Sequence, residues 1–112
     1  MPRRRGKGSG FEKRVTSRYR KGGYRVKRNV VGKRNGRRYE IDAIIERGKE
    51  RYPTEIKGGK QILTASQILA VYKKLSYRKG IPTLILGPNV KLTNPAKKIA
   101  KEKGLRIKRI TR

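Results

Sequence analysis

The chain has 112 residues, and its 34 Lys and Arg against seven Asp and Glu give a formal net charge of +27. This length predicts a single compact domain, because a second domain would have little room. Cys and His are both absent, which excludes disulfides, thiolate or histidine metal sites and Ser-His-Asp hydrolysis. Carboxylates, Lys, Tyr and water remain as the reactive groups.

So large an excess of positive charge repels itself unless an anionic partner screens it. The phosphate backbone of DNA fits that requirement, because each neutralised phosphate releases condensed counterions. A ribosomal or chromatin-type protein would satisfy the same charge. The chain contains no apolar segment of membrane-spanning length, and its first residues lack the apolar region of a signal peptide. We therefore expect a cytoplasmic protein without a membrane partner.

The N-terminal residues 1–8 are expected to form a flexible basic arm, and residues 9–112 a single domain. Ser9 and Glu12 have the spacing of a capping box, in which each side chain satisfies a backbone N–H group of the other residue. This spacing predicts a first helix over residues 10–21, which the following pair of glycines ends.

Three strands are predicted next. Alternation over residues 24–31 indicates the first strand, and turn-forming residues at 32–36 indicate a hairpin. The second strand is expected over residues 37–46. The third is expected over residues 51–57, where a second pair of glycines ends it.

The C-terminal half predicts helices that alternate with strands. A second capping box opens a helix over residues 64–79, and a short buried strand follows at 81–86. Asn94 is expected to cap a third helix that ends near Lys103, and residues 105–110 alternate as a closing strand. The order αβββαβαβ predicts an α/β fold with a mixed central β-sheet flanked by helices.

Acidic residues are scarce, so their positions are informative. Asp42 interrupts an apolar strand, where an ionised carboxylate is costly unless it is paired or bound to a metal. Glu55 and Lys57 are two apart on the next strand and share a face. Because adjacent strands lie about 4.8 Å apart, a hairpin would bring Asp42 beside Glu55. Two such carboxylates repel each other unless a hard cation such as Mg²⁺ binds between them.

A metal ion in this position could lower the pKa of a bound water and polarise a phosphate. Lys57 could orient the attacking water and offset the growing negative charge. By itself, however, a Glu-x-Lys pair on a strand often forms nothing more than a solvated face. The aspartate in the preceding apolar strand and the basic composition favour the catalytic interpretation.

Three motifs together resemble the PD-(D/E)XK nuclease superfamily, most closely the archaeal Holliday junction resolvases and next the Mrr-like restriction endonucleases. These motifs are Gly10-Phe11-Glu12 on the first helix, Ile41-Asp42-Ala43-Ile44-Ile45 on a strand, and Glu55-Ile56-Lys57 on the next strand. The resemblance implies a restriction-endonuclease-like fold and an endodeoxyribonuclease that uses Mg²⁺, or Mn²⁺ in its place. It also implies a homodimer that acts on duplex or four-way DNA in recombination and repair, from an archaeal or archaeal-virus-like source.

By position, the resemblance assigns Asp42, Glu55 and the Ile56 carbonyl to the metal and makes Lys57 the catalytic lysine. Glu12 would be a further acid of the site and metal ligand, although its predicted capping role is also a sufficient explanation. Two departures stand out. Ile rather than Pro precedes Asp42, and the loop over residues 29–36 lacks the serine of the resolvases, which bears on junction specificity.

Other residues receive supporting roles. Glu40 could assist the site or pair with a surface Arg, and Gln67 could assist it or only cap the second helix. Val71 and Ile85 are candidates for the dimer interface. The predicted DNA contacts are basic residues that flank the site in sequence: Arg3, Arg4, Arg5, Lys7, Arg25, Lys27, Arg28, Lys33, Arg34, Arg37, Arg38 and Lys60. A restriction or repair endonuclease and a non-catalytic DNA- or RNA-binding protein remain as alternatives.

Overall fold

The computed structural model describes residues 9–111. The predicted basic arm, with the DNA-contact candidates Arg3, Arg4, Arg5 and Lys7, lies outside these residues. Within them, no helix is both long enough and apolar enough to cross a membrane.

Ten helices and strands follow one another in the described part of the chain. In chain order they are α1 (Ser9–Lys21), β1 (Arg25–Arg34), β2 (Arg37–Arg47), β3 (Glu50–Lys57), β4 (Gln61–Leu63), α2 (Ala65–Leu75), β5 (Thr83–Leu86), β6 (Val90–Leu92), α3 (Asn94–Lys103) and β7 (Arg106–Arg109). The two short strands β4 and β6 were not predicted, because three-residue strands leave no periodic pattern in a sequence.

A five-stranded sheet in the order β1-β2-β3-β5-β7 forms the centre of the protein. The pairs β1–β2 and β2–β3 are antiparallel, whereas β3–β5 and β5–β7 are parallel. Strands β4 and β6 pair with each other in a separate two-stranded sheet. The predicted α/β architecture, a mixed central sheet flanked by helices, is confirmed.

The β1–β2 hairpin is longer than predicted. Strand β1 continues to Arg34, and Gly32, expected in the turn, pairs with Tyr39 in the ladder. The turn consists of Asn35 and Gly36 alone, whose φ values are 52° and 77°. Asn and Gly adopt this left-handed conformation readily, so they form the two-residue connection that matches the twist of a hairpin.

Two helix boundaries also differ from the prediction. Helix α2 ends at Leu75 rather than residue 79, because the chain turns there and brings Tyr77 against Tyr39, with ring centroids 5.1 Å apart. The N-cap of α3 is Thr93 rather than Asn94, and its hydroxyl accepts a hydrogen bond from the Ala96 N–H at 3.1 Å. Both differences are local and leave the order of the predicted elements unchanged.

The sheet has an apolar cluster on each face. One lies against α2 and α3, and the other lies against α1. Val71 and Ile85 belong to these clusters, with 8% and 0% of their surface exposed. Neither is available for the dimer interface predicted for them, because both are buried within the domain.

Candidate active site

Asp42 lies where β2 loses its regular pairing, because the ladder with β1 skips this residue and the ladder with β3 ends one residue before it. In the pairing of β1 with β2, Arg28 faces Ala43 and Val30 faces Ile41, but no pair forms between Asn29 and Asp42. Asn29 has a φ of 53°, a left-handed conformation that Asn tolerates. The regular ladder is therefore broken at the residue opposite Asp42.

The same interruption changes which face of the sheet each side chain covers. Residues two apart on a regular strand share a face. Ile41 and Ala43, however, belong to the two different apolar clusters, Ile41 on the α2 and α3 face and Ala43 on the α1 face. Strand β2 thus changes face at Asp42, which explains how a carboxylate can interrupt an apolar strand without lying in either core.

The paired register of β2 and β3 ends at Ala43 and Thr54, one position before Asp42 and Glu55. Beyond that point, the Ile56 N–H donates a hydrogen bond to Asp42 Oδ2 at 2.8 Å. A side-chain oxygen thus satisfies a backbone donor of the neighbouring strand. This bond fixes the Asp42 carboxylate beside the Glu-x-Lys segment of β3.

Glu55 is a buried carboxylate that two lysines surround. It is 6% exposed. Lys57 Nζ lies 3.7 Å from its Oε2, while Lys74 Nζ lies 3.0 Å from Oε1 and donates a hydrogen bond to Oε2 at 3.1 Å. The contact with Oε1 lacks hydrogen-bond geometry, and within the described residues this buried oxygen has no hydrogen-bond partner.

Lys74, which lies on α2, is the residue of the site that sequence reasoning missed. It follows the buried Val71 by three positions, so it shares the inner face of the helix. That spacing was a readable signal that Lys74 faces the sheet. The sequence did not reveal that the helix passes over Glu55, because this depends on how the chain folds back.

Glu12 approaches the site from α1. Its Oε1 lies 3.6 Å from Arg28 Nη2, so the two side chains form an ion pair. Burial raises the pKa of Glu12, the positive charge of Arg28 lowers it, and the negative charge of Glu55 raises it. Phe11 anchors this end of the helix, and a Cβ at Gly58 would lie 2.8 Å from the Phe11 ring. The glycine after the Glu-x-Lys segment therefore allows α1 to approach the sheet.

Asp42 is the most perturbed acid of the site, with its pKa raised to about 7 from an ordinary value of 3.8. Burial is the main cause, and the negative charges of Glu55 and Glu12 add to it. The hydrogen bond from Ile56 and the positive charge of Lys74 act in the opposite direction. Perturbed carboxylates of this kind are concentrated at functional sites.

The oxygen ligands fit a small hard cation. Two neighbouring carboxylates, from Asp42 and Glu55, are typical of a Mg²⁺ site in which water and phosphate oxygens complete the coordination. Glu55 Oε1 lies 3.0 Å from the Lys74 ammonium but has no hydrogen bond within the described residues, and a carboxylate oxygen is in the right chemical class for such an ion. Among the described residues, no three acidic side chains lie close enough together to hold an ion. The metal-binding roles of Asp42, Glu55, Glu12 and the Ile56 carbonyl remain predictions.

A cavity of about 280 Å³ opens next to Glu55. Its lining comprises Glu55, Lys57, Leu63, Gln67, Ile68, Ala70, Val71 and Lys74. Gln67 accepts a hydrogen bond from the Thr64 N–H at 2.9 Å, as the third residue of a complete capping box. The capping role predicted for Gln67 is confirmed, and its position on the cavity wall leaves room for a second role.

The other predicted residues are spread over the hairpin and its surroundings. Glu40 is exposed and lies 3.9 Å from Arg38, so it pairs with a surface arginine rather than joining the site. Arg25 Nη2 lies 3.7 Å from Glu46. The remaining candidates for DNA contact in the described residues are exposed side chains: Lys27, Lys33, Arg34, Arg37 and Lys60.

Comparisons with known proteins give the fold but no family. No family model and no curated protein matches the sequence. Among solved structures, a protein of unknown function designated AF1548 is similar, with a TM-score of 0.73 and 24% identity over 88% of this chain. Pyrococcus furiosus SfsA in complex with Ca²⁺ has a TM-score of 0.55 and 22% identity over 91% of this chain.

This chain covers only 56% and 55% of the length of these two proteins. At such low identities, the likeness applies to the fold alone. The chain thus has the α/β fold of these proteins, and the residues Asp42, Glu55 and Lys57 form its candidate active site.

Proposed function

We propose that the protein is a divalent-metal-dependent DNA endonuclease that hydrolyses phosphodiester bonds. The observation that carries this proposal is the interruption of the sheet at Asp42, where two carboxylates meet beside Lys57. The Ca²⁺ bound by SfsA, on a similar fold, supports the choice of a divalent cation. The net charge of +27 supports DNA as the substrate.

Each residue has a distinct part in this mechanism. Asp42 and Glu55 would hold Mg²⁺, which in such sites activates a water molecule and polarises the scissile phosphate. The Ile56 N–H keeps the Asp42 carboxylate oriented, and Lys74 keeps Glu55 in place. Lys57, with its ammonium 3.7 Å from Glu55, would offset the charge that grows on the phosphate.

The finer substrate proposal is branched DNA, cut in the manner of a Holliday junction resolvase. It rests on the resemblance of the three motifs, as do the roles in recombination and repair. A homodimer would place two sites on two strands, because a two-fold DNA substrate matches a two-fold protein. A restriction or repair endonuclease acting on ordinary duplex DNA would use the same site.

One observation favours a second candidate function, that of a non-catalytic DNA-binding protein. Lys74 already neutralises Glu55, with its ammonium 3.0 Å from one oxygen and 3.1 Å from the other. A site whose acid is permanently paired in this way would need no metal. The two functions differ in one property, the dependence of DNA cleavage on a divalent cation.

The test is incubation of the protein with labelled linear, flapped and four-way DNA, in Mg²⁺, in Mn²⁺ and in EDTA. The endonuclease proposal expects cleavage only with a cation present. Preference for the four-way substrate would support the resolvase proposal, whereas equal cutting of linear duplex would support a restriction or repair enzyme. Binding of all three substrates without cleavage under any condition would contradict the endonuclease proposal and favour the binding protein.

A further inference from the structure

A second, larger groove lies between the β1–β2 hairpin and α2. Its volume is about 500 Å³, and none of the described residues that line it is acidic. Five cationic side chains and a tyrosine form most of its walls: Arg34, Arg37, Arg38, Lys73, Lys74 and Tyr77. We call it the hairpin groove. Arg38 and Lys74 have acidic partners in Glu40 and Glu55. The other three cations have no acidic partner among the described residues, and they repel one another unless an anion lies between them.

The hairpin groove leads to the candidate active site. Ala70 and Lys74 line both the groove and the cavity next to Glu55. Lys74 contacts Glu55 directly, at 3.0 Å. An anionic chain that reaches Lys74 in the groove would therefore lie next to the cavity that Glu55 and Lys57 line.

Aromatic contacts hold the walls of the groove in place. The rings of Tyr39 and Tyr77 form an edge-to-face pair, and Arg34 lies over the Tyr77 ring at 4.9 Å. Arg78 Nε donates a hydrogen bond to the Tyr39 hydroxyl at 2.9 Å. The hairpin is thus tied to the end of α2 before any ligand binds, which reduces the entropic cost of binding.

Gly32 is part of the same arrangement. A Cβ at this position would lie 2.5 Å from the Tyr39 ring and hydroxyl. The backbone of β1 must therefore lack a side chain here for Tyr39 to occupy its place in the wall. This contact offers a way to disturb the groove without changing its charge.

Two other cavities of similar volume among the described residues lack this combination of charge and position. A cavity of about 510 Å³ between α1 and β7 has Arg18, Lys108 and Arg109 on its walls, but it shares no lining residue with the cavity at Glu55. A third, of about 530 Å³, has Lys60 and Lys91 and is also separate. The hairpin groove is the one of these three that continues into the acidic site.

We propose that the hairpin groove binds the sugar–phosphate backbone of a DNA strand and leads it to Glu55 and Lys57. This inference rests on the proposed function, since it takes DNA as the substrate of that site. Backbone contacts position a strand without reading its bases, so the groove accepts any sequence. Lys73 on α2 and Tyr77 in the turn after α2 thereby join the hairpin arginines as DNA-binding residues.

The experiment compares two double variants that lose the same charge. Arg37→Gln with Lys73→Gln removes two cations from the groove, and Lys97→Gln with Lys101→Gln removes two exposed cations from α3. Binding of labelled duplex and four-way DNA is measured by fluorescence anisotropy in EDTA, between about 50 and 200 mM salt. The slope of log K against log salt is expected to fall by about 2 in the groove variant, roughly 0.9 per lost phosphate contact, and to stay unchanged in the α3 variant.

A third variant keeps the charge constant. Gly32→Ala is expected to displace Tyr39 and lower both the affinity and the salt slope, although the net charge is unchanged. Circular dichroism and thermal unfolding establish that each variant is folded. Equal losses in the groove and α3 variants, or a Gly32→Ala protein that is folded and binds normally, would overturn the groove proposal.

Cleavage in Mg²⁺ is measured on the same samples and separates the two proposals. Wild-type cleavage together with unchanged DNA binding by the groove variant would overturn the groove and leave the endonuclease. Weaker binding by the groove variant without any wild-type cleavage would support the groove and contradict the endonuclease. Tighter wild-type binding to a matched RNA duplex than to the DNA would overturn the choice of DNA.

Discussion

The acidic residues at the two ends of the β2–β3 pair have different partners. At the end that the Gly48 turn closes, the Glu46 carboxylate has two arginine partners, Arg25 at 3.7 Å and a close contact with Arg51. At the other end, Asp42 has a single backbone N–H as its hydrogen-bond partner among the described residues. Its carboxylate also lies in the field of Glu55 and Glu12.

The end at the Gly48 turn, which we call the closed end, shows that acidic residues of this chain readily form ion pairs. With 34 basic residues and seven acidic ones, an arginine could have been placed beside every carboxylate. At Asp42 no such partner is present among the described residues, and the pKa of the carboxyl rises to about 7. A local arrangement that lowers stability and contributes nothing to the fold is expected at a functional site. The end of the strand pair at Asp42, which we call the open end, is therefore where we expect catalysis.

The largest expected effect is the loss of DNA cleavage when the acid at the open end is neutralised. Neutralising an acid at the closed end is the comparison. Asp42→Asn should lower Mg²⁺-dependent DNA cleavage by about a thousandfold, equivalent to ~4 kcal/mol, because it removes a metal ligand. DNA binding in EDTA should be retained, since no cationic contact is lost. Glu46→Gln is the matched control and should cleave at the wild-type rate. Comparable losses of cleavage in both variants would contradict the distinction between the two ends.

The raised pKa of Asp42 predicts a stability that depends on pH. Because the folded state binds this proton more tightly than the unfolded state, the contribution of Asp42 to stability is fully present below its ordinary pKa of 3.8 and is lost as the pH rises to about 7. Asp42→Asn removes this loss and should be more stable than wild type at pH 8 by about 4 kcal/mol. Near pH 3, below the ordinary pKa of 3.8, the difference should vanish.

Urea unfolding of both proteins in EDTA at these two pH values measures the effect. Glu46→Gln again serves as the control, and it should show no such gain in stability at pH 8. If Asp42→Asn is instead less stable than wild type at both pH values, the bond from the Ile56 N–H outweighs the burial of the charge.

Glycine substitutions extend the comparison to the backbone. A Cβ at Gly58, at the open end, would lie 2.8 Å from Phe11, so Gly58→Ala should push α1 outwards and cost about 2 kcal/mol. Gly48, in the turn at the closed end, has a φ of 60° and no atom within 4 Å of a Cβ. Gly48→Ala should therefore cost about 1 kcal/mol through backbone strain alone.

Both costs are measured as free energies of unfolding in urea, and cleavage is measured under conditions in which each variant is fully folded. Cleavage should decrease only in Gly58→Ala, because α1 carries Glu12. A folded Gly58→Ala protein that cleaves at the wild-type rate would show that the position of α1 is unimportant to the site.

The sequence predicted the larger elements because their signals are local. Glycine pairs after α1 and β3 mark the ends of these elements, and the capping box at Thr64 and Gln67 marks the start of α2. The short strands β4 and β6 escaped prediction because they exist only through pairing with each other. The end of α2 escaped as well, because the contact of Tyr77 with Tyr39 spans distant parts of the chain.

For the candidate site, spacing predicted which acids would meet but not how they are held. An acid within an apolar strand indicated Asp42. The two-residue period of a strand indicated that Glu55 and Lys57 share a face. The left-handed Asn29 opposite Asp42 and the approach of Lys74 from α2 were not found. Both depend on neighbours that are distant in sequence, and no local pattern in a single sequence indicates such contacts.

The smallest expected effect concerns Glu12, the acid that reaches the open end from α1. Its charge raises the pKa of Asp42, so Glu12→Gln should lower that pKa, as measured by NMR titration of the Asp42 carboxyl in EDTA. Cleavage should fall only about tenfold, or ~1.4 kcal/mol, because Asp42 and Glu55 remain. Glu40→Gln, which removes an exposed acid paired with Arg38, should change neither quantity. If Glu12 were only a helix cap, its substitution would lower the stability of α1 and leave the pKa of Asp42 unchanged. The site would then consist only of residues on β2 and β3.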